Sequence, residues 1–239
     1  MKLIAMWAHQ RAVSTAFLRM MIARGDVTVV HEPLVTLTDE GAVPLPDGHG
    51  GTVELRTAGE VLAHLAALSR ARPVFFKDTV EYRYQYLFDH PGAIAGIDHT
   101  FIVRDPRKAI NSLYRMKPSF TRPEAGYEHL WDLFRLVESV AGKAPVVVHA
   151  EKLLREPETT VRGYCEAVGL PFVPDALHWQ PEDRSEWRRT RQWHTDASTS
   201  TGFVPTEKQY EVTVDNDERL RSFYDYHLPF YERLVEHAL

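Results

Sequence analysis

Five short apolar runs, separated by segments of helical period, constrain the fold of this chain more than any other feature. Leu3–Ala8, Val27–Val30, Val74–Phe76, His99–Val103 and Pro145–Val148 are rich in β-branched or aromatic residues and too short for buried helices. Helical spacing fills the intervals between them. It runs over about Val13–Arg24, over Val61, Leu62, Leu65 and Leu68 behind a capping-box pattern at Thr57 and Glu60, and over Ile110, Leu113 and Tyr114 behind Asp105-Pro106. Further helices are expected over roughly Glu124–Ala141, over Glu151–Val168 with a break near Pro157, and over Asn216–Ala238, where Pro229 should kink or split the element. Tyr82–Phe88 reads as a short aromatic helix, and Thr38–Thr52, with its Gly, Pro and Asp residues, as an exposed loop. Strands alternating with helices predict an α/β protein, a three-layer α/β/α arrangement around a parallel sheet of about five strands.

At 239 residues the chain suits one well-buried domain, expected to span 1–239, and is short for two. No apolar run approaches the roughly 20 residues of a membrane span, and the N-terminus lacks the basic and apolar regions of an export signal. The single cysteine, Cys165, cannot form an internal disulfide and falls in a helical pattern, which suits a buried thiol in a reducing cytoplasm. A net charge of −5 argues against broad nucleic-acid binding but permits a local basic pocket. The twelve histidines show no close metal-ligand spacing, so no metal is expected.

In an open parallel sheet, ligands bind beyond the carboxyl ends of the strands. Arg11, His31-Glu32, Lys77-Asp78, Arg104-Asp105 and His149 all fall at such ends. The first of these positions is the most informative. Leu3–Ala8 runs through His9-Gln10-Arg11 into a helix whose first turn carries Ser14 and Thr15. A helix N-terminus presents unpaired N–H groups and a positive dipole end to an anion. No glycine occurs between Met1 and Arg24, and the lysine of a triphosphate loop is also missing, so an ordinary ATP or GTP site is disfavoured.

The chain resembles the sulfotransferases that use 3′-phosphoadenosine 5′-phosphosulfate, on three ordered segments within the first 172 residues. Gln10-Arg11-Ala12-Val13-Ser14-Thr15 is similar to their 5′-phosphosulfate loop, departing at Gln10, where proline is usual, and at Val13, where glycine is common. Phe101-Ile-Val-Arg104-Asp-Pro-Arg-Lys-Ala-Ile-Asn-Ser112 is similar to their second signature, and His149–Pro157 with Gly169-Leu-Pro-Phe172 to a third segment. The resemblance implies a P-loop-like fold, a 5′-phosphosulfate held by Arg11, Ala12, Val13, Ser14 and Thr15, and a 3′-phosphate held by Arg104 and Ser112. It further implies direct sulfuryl transfer to a small-molecule acceptor, without a metal.

Such a transfer needs cations on the leaving phosphate and a base for the acceptor hydroxyl. Arg11 and Lys77 are the candidate cations. Many family members carry a catalytic histidine two residues beyond that lysine. Thr79 stands there instead. Other members, largely bacterial, use a glutamate just after the second strand, and His31-Glu32-Pro33 is similar to that version, so the resemblance implies Glu32 as the base, with His31 as the second candidate. The acceptor would be a hydroxyl or, as the lesser alternative, an amine. A small-molecule kinase with an atypical phosphate loop and a non-catalytic nucleotide-binding relative are the competing readings. In the unpatterned stretch Trp179–Phe203, Arg188, Arg189 and Arg191 are candidates for the 3′-phosphate, and Trp193 and His194 for the acceptor pocket.

Overall fold

A computed structural model describes residues 2–182, 198–205 and 208–239. Strands β1 (Leu3–Ala8), β2 (Thr28–His31), β5 (Val74–Thr79), β6 (Asp98–Val103) and β7 (Val146–His149) form one sheet in the order β2-β5-β1-β6-β7, every neighbouring pair parallel. All their carboxyl ends therefore lie on one edge. Because β1 sits at the centre and the chain crosses it between β5 and β6, the edge above β1 is the topological switch point where such sheets bind ligands.

The uninterrupted apolar character of β1 has a plain cause. Successive side chains of a strand point to opposite faces, and both faces of this sheet are covered. Leu3, Ala5 and Trp7 pack with Phe76, Phe101 and Val103 beneath helices α3 (Ala58–Leu68), α5 (Pro106–Met116), α6 (Tyr127–Ala141) and α9 (Glu218–Val235). Ile4, Met6 and Ala8 pack with Phe75, Ile102 and Val148 against α1 (Ser14–Ala23) and α8 (Pro157–Val168). Cys165 belongs to this second cluster, and its buried thiol is pushed up from its ordinary pKa by desolvation.

Several local expectations hold to the residue. Thr57 accepts from the Glu60 N–H while Glu60 returns a bond to the Thr57 backbone, closing the capping box of α3. Asp105 caps α5 by accepting from the Arg107 N–H at 2.8 Å, with Pro106 in the first turn. Helices α7 (Ala150–Arg155) and α8 are separated at Glu156, just before Pro157.

Others need correction. Thr38–Thr52 is not an open loop. It contains the end of α2 (Pro33–Glu40) and the antiparallel strand β3 (Val43–Pro46), which pairs with β4 (Thr52–Leu55). Val43 and Leu45 alternate inward to the core while Pro44 and Pro46 face out, so prolines that read as loop residues occupy a two-stranded edge. Only the tip near Asp47–Gly51 matches the expectation. β5 is also longer than its apolar part, since Lys77, Asp78 and Thr79 are inside the strand and buried. Pro229 does not split α9, which runs unbroken through it from Glu218, where Asp217 caps it by accepting from the Leu220 N–H. The aromatic helix α4 is the short segment Gln85–Asp89.

Candidate active site

At the carboxyl edge of the sheet lies a cavity of about 1010 Å³, open to solvent and lined from three directions. Between β1 and α1, the backbone turns through residues Arg11 (φ 64°) and Val13 (φ 69°), both left-handed. Val13 serves as the N-cap of α1, and its own side chain makes no capping hydrogen bond. The position where the resembled loop commonly has glycine is thus one where the backbone demands a positive φ, and a β-branched residue occupies it under strain. Arg11, Ala12, Val13, Ser14 and Thr15 all line the cavity.

Arg104 and Ser112 line it from the β6–α5 side. The two signatures are wired together. Arg11 Nε donates to Ser112 Oγ at 2.9 Å, and an Arg104 terminal nitrogen donates to the Arg11 carbonyl at 3.1 Å. Glu151, at the start of α7, supports this corner. Its carboxylate lies 3.8 Å from both Arg104 Nε and Lys108 Nζ, and it accepts from the Asp105 N–H at 3.4 Å. His149 lies 3.3 Å from the same carboxylate and 2.9 Å from the Tyr231 hydroxyl.

From the β2–β5 side come Glu32 and Lys77, which also line the cavity. Lys77 Nζ donates to the Glu32 carboxylate, forming an ion pair of residues only 1 % and 8 % exposed. The geometry has a local cause. Glu32 adopts a left-handed conformation (φ 46°, ψ 53°), its N–H donates to the Lys77 carbonyl at 2.7 Å, and α2 starts immediately after it. Asp78, fully buried on β5, accepts from the N–H groups of Leu34 (2.7 Å) and Val35 (3.1 Å), and so caps α2 from the neighbouring strand. Burial pushes the Asp78 carboxyl well up from its ordinary pKa, against the two N–H groups that hold it down.

His31 is the exception among the expected residues. It is not part of the cavity wall; its Nε2 lies 3.6 Å from Glu32 Oε1, making it a neighbour of the carboxylate. Asp78 likewise takes no place in the wall. Arg188, Arg189, Arg191, Trp193 and His194 lie outside the described residues. The chain beyond them returns to the cavity, where Thr199–Pro205 forms part of the wall and Gly202 bridges to His178. A Cβ on Gly202 would meet the Leu177 carbonyl at 3.0 Å, so this crossing is tight for any larger residue.

Four acidic wall residues besides Glu32, namely Asp39, Glu81, Glu124 and Glu151, were not among the residues marked by the sequence. Glu81 borders the cavity two residues beyond β5, and burial, with the nearby charge of Glu32, raises its pKa. Its only sequence signal was position, shortly after a strand end. Glu151 sits in the third resembling segment but was not singled out there. Among the described residues, no group of His, Cys, Asp and Glu could hold a metal ion, and no helix is long and apolar enough to cross a membrane.

A parallel sheet whose switch point carries a left-handed loop, a helix start and converging arginines is an arrangement of the kind that suits a phosphate-like anion. Comparison with known proteins makes the class specific. A profile of the sulfotransferase domain matches residues 1–238, and the chain belongs to the sulfotransferase family. The solved sulfotransferase from Alicyclobacillus acidocaldarius aligns over 100 % of this chain and 98 % of its own, with a TM-score of 0.54 at 15 % identity. A sulfotransferase domain from the curacin biosynthetic pathway aligns over 99 % and 97 %, with a TM-score of 0.53 at 14 % identity. These likenesses show a shared fold. Two Arabidopsis thaliana proteins described as branched-chain-amino-acid aminotransferase-like are 27 % and 25 % identical over 99 % and 87 % of this chain. The chain spans less than half the length of those relatives, with 42 % and 37 % of their sequences covered.

Proposed function

We propose that this sulfotransferase, a single domain over 1–239, moves a sulfuryl group from 3′-phosphoadenosine 5′-phosphosulfate to a hydroxyl of a small molecule in the cytoplasm, an amine being the lesser alternative. The observation that carries this reading is the order of groups along the carboxyl edge of the sheet. The Glu32–Lys77 pair lies over β2 and β5, the Arg11 loop over β1, and Arg104 with Ser112 over β6 and α5. A donor with its 3′-phosphate at Arg104 and Ser112 and its 5′-phosphosulfate on the α1 terminus presents its sulfur toward Glu32. The cavity has room for a nucleotide together with an acceptor.

In the transfer, the acceptor oxygen forms a bond to sulfur as the bond from sulfur to the bridging phosphate oxygen breaks. The electron pair leaves with the phosphate. Arg11 and Lys77 stabilise that growing negative charge, and Glu32 takes the acceptor proton. An ion-paired carboxylate is a weak base, but as charge builds on the leaving oxygen Lys77 is drawn towards it, and the proton moves onto a carboxylate losing its partner. His31, beside Glu32 but outside the wall, fits a supporting role better than that of base.

The test is a thermal shift with adenosine 3′,5′-bisphosphate against one with ATP, followed by a screen of hydroxylated metabolites with labelled donor. A ligand at about 100 times its Kd stabilises by roughly 2.7 kcal/mol, a rise of about 5–10 °C for a chain of this size. A shift with ATP alone would favour a kinase. Bisphosphate binding without turnover of any acceptor would favour a non-catalytic relative.

A further inference from the structure

His9 is the first residue after β1 and is wholly buried. Its ring joins the two anion-binding segments. The Arg104 N–H donates to Nε2 at 2.9 Å, and Nδ1 lies 2.8 Å from the Gln10 carbonyl oxygen. An amide N–H can only donate, so Nε2 carries no proton and Nδ1–H donates to Gln10. Burial lowers the pKa to about 3, which keeps this neutral tautomer across the working range.

The other face of the ring is held too. Tyr127 stacks on it with centroids 3.9 Å apart, and the Tyr127 hydroxyl donates to the Arg104 carbonyl at 2.7 Å. Both backbone polar groups of Arg104 are thus fixed by one stacked pair. Gly126 makes the stack possible, since at its φ of +86° a Cβ would lie 3.3 Å from His9 Cβ and 3.2 Å from the Val80 carbonyl. The Arg104 side chain then reaches the Arg11 carbonyl, and Arg11 reaches Ser112. From β1 through the stack to Arg104, and back through Arg11 to Ser112, the contacts close into a loop around the anion site.

We propose that His9, braced by Tyr127, is a positioning residue that sets the spacing between the β1–α1 loop and the β6–α5 turn, and so lets the site recognise two phosphates at a fixed separation. The inference rests on the reading of Arg104 and Ser112 as the 3′-phosphate site. Neither His9 nor Tyr127 touches the nucleotide in this arrangement; they act through the Arg104 backbone.

The experiment is calorimetric titration of the full chain with adenosine 3′,5′-bisphosphate and with adenosine 5′-monophosphate, which lacks the 3′-phosphate. The wild type should prefer the bisphosphate. His9→Phe keeps the stack but loses both hydrogen bonds, and it should narrow that preference by about 10-fold or more, as expected for groups displaced by a fraction of an ångström. His9→Gln, whose side-chain oxygen can still accept from Arg104, should recover part of it. In an Arg104→Met background, His9→Phe should no longer affect the bisphosphate more than the monophosphate.

A merely structural role would lower the melting temperature and leave the preference intact, and that result overturns the inference. A wild type with no preference overturns the 3′-phosphate reading, and this inference with it. Should His9→Phe fail to fold, Tyr127→Phe removes only the bond to the Arg104 carbonyl. It should narrow the preference by a few-fold, and an unchanged preference there is equally decisive against the proposal.

Discussion

Lys77 and Glu32 meet as an ion pair inside the protein, at the junction of β5 and α2, although 45 residues separate them in sequence. The pair links stability to chemistry, because the same two groups that satisfy each other face the cavity.

Glu32→Gln keeps the shape of the side chain and one acceptor oxygen while removing the proposed base. Turnover on any accepted substrate should fall by about 100-fold or more, the usual weight of a general base. The Kd for adenosine 3′,5′-bisphosphate should change by less than about 3-fold, because the α1 terminus and Arg104 are untouched. Steady-state kinetics beside calorimetry separates the two. Turnover close to wild type would remove Glu32 from the mechanism.

Lys77→Met leaves a buried carboxylate without its ammonium, which typically destabilises by about 3–5 kcal/mol. Adding Glu32→Gln to Lys77→Met should restore most of the stability and none of the activity. Urea unfolding of the two single variants and the double variant checks this. A stable and active double variant would contradict the roles given to both residues.

Val13 holds a left-handed backbone that glycine adopts freely, at an expected strain of roughly 1–2 kcal/mol. Val13→Gly relieves that strain but loses a half-buried side chain packed against the cluster around Phe17, and it loosens the unfolded chain. The opposing effects should leave stability within about 1 kcal/mol of wild type, with nucleotide affinity preserved. A larger loss in chemical denaturation would show that packing of the valine, not the turn, governs this position.

How much of this was legible in the sequence follows from the range of the interactions. Strands β1, β2, β6 and β7 announced themselves through local composition, and Thr57, Glu60, Asp105 and Pro106 through spacing within one helical turn. The β3–β4 hairpin was hidden because Pro44 and Pro46 resemble loop residues, and only their alternation with buried Val43 and Leu45 marks a strand. Lys77 and Asp78 read as residues beyond a strand because their burial depends on partners 44 or 45 positions away. The hydrogen bond from Arg104 to His9 spans 95 residues, and nothing local signals it. Arg11, Glu32, Lys77 and Arg104 stood out by their position at strand ends, and Ser112 with the rest of the Arg11 loop by the family resemblance; the wiring among them did not, because the fold creates it.

Three buried histidines make a final prediction about pH. Desolvation lowers His9 to about 3, His99 to about 4 and His227 to about 4, against about 6.5 in an unfolded chain. A depressed histidine is neutral when folded and takes up a proton on unfolding, so its contribution is present above pH 6.5 and lost as pH falls towards 4. Asp78 and Glu81 act in the opposite sense, since their raised pKa values let the folded state hold protons that the unfolded chain releases. The net slope therefore mixes signs, and a difference between variants isolates one group. His227 donates to the Arg122 carbonyl at 2.8 Å, away from the cavity wall, with Glu128 and Arg122 as its charged neighbours. His227→Gln should remove about one proton from the uptake on unfolding. Between pH 6.5 and 4.5 the wild type should then lose about 1 kcal/mol per pH unit more than the variant. Urea titrations at three pH values measure this directly, and parallel profiles for the two proteins would mean that His227 is already charged in the fold.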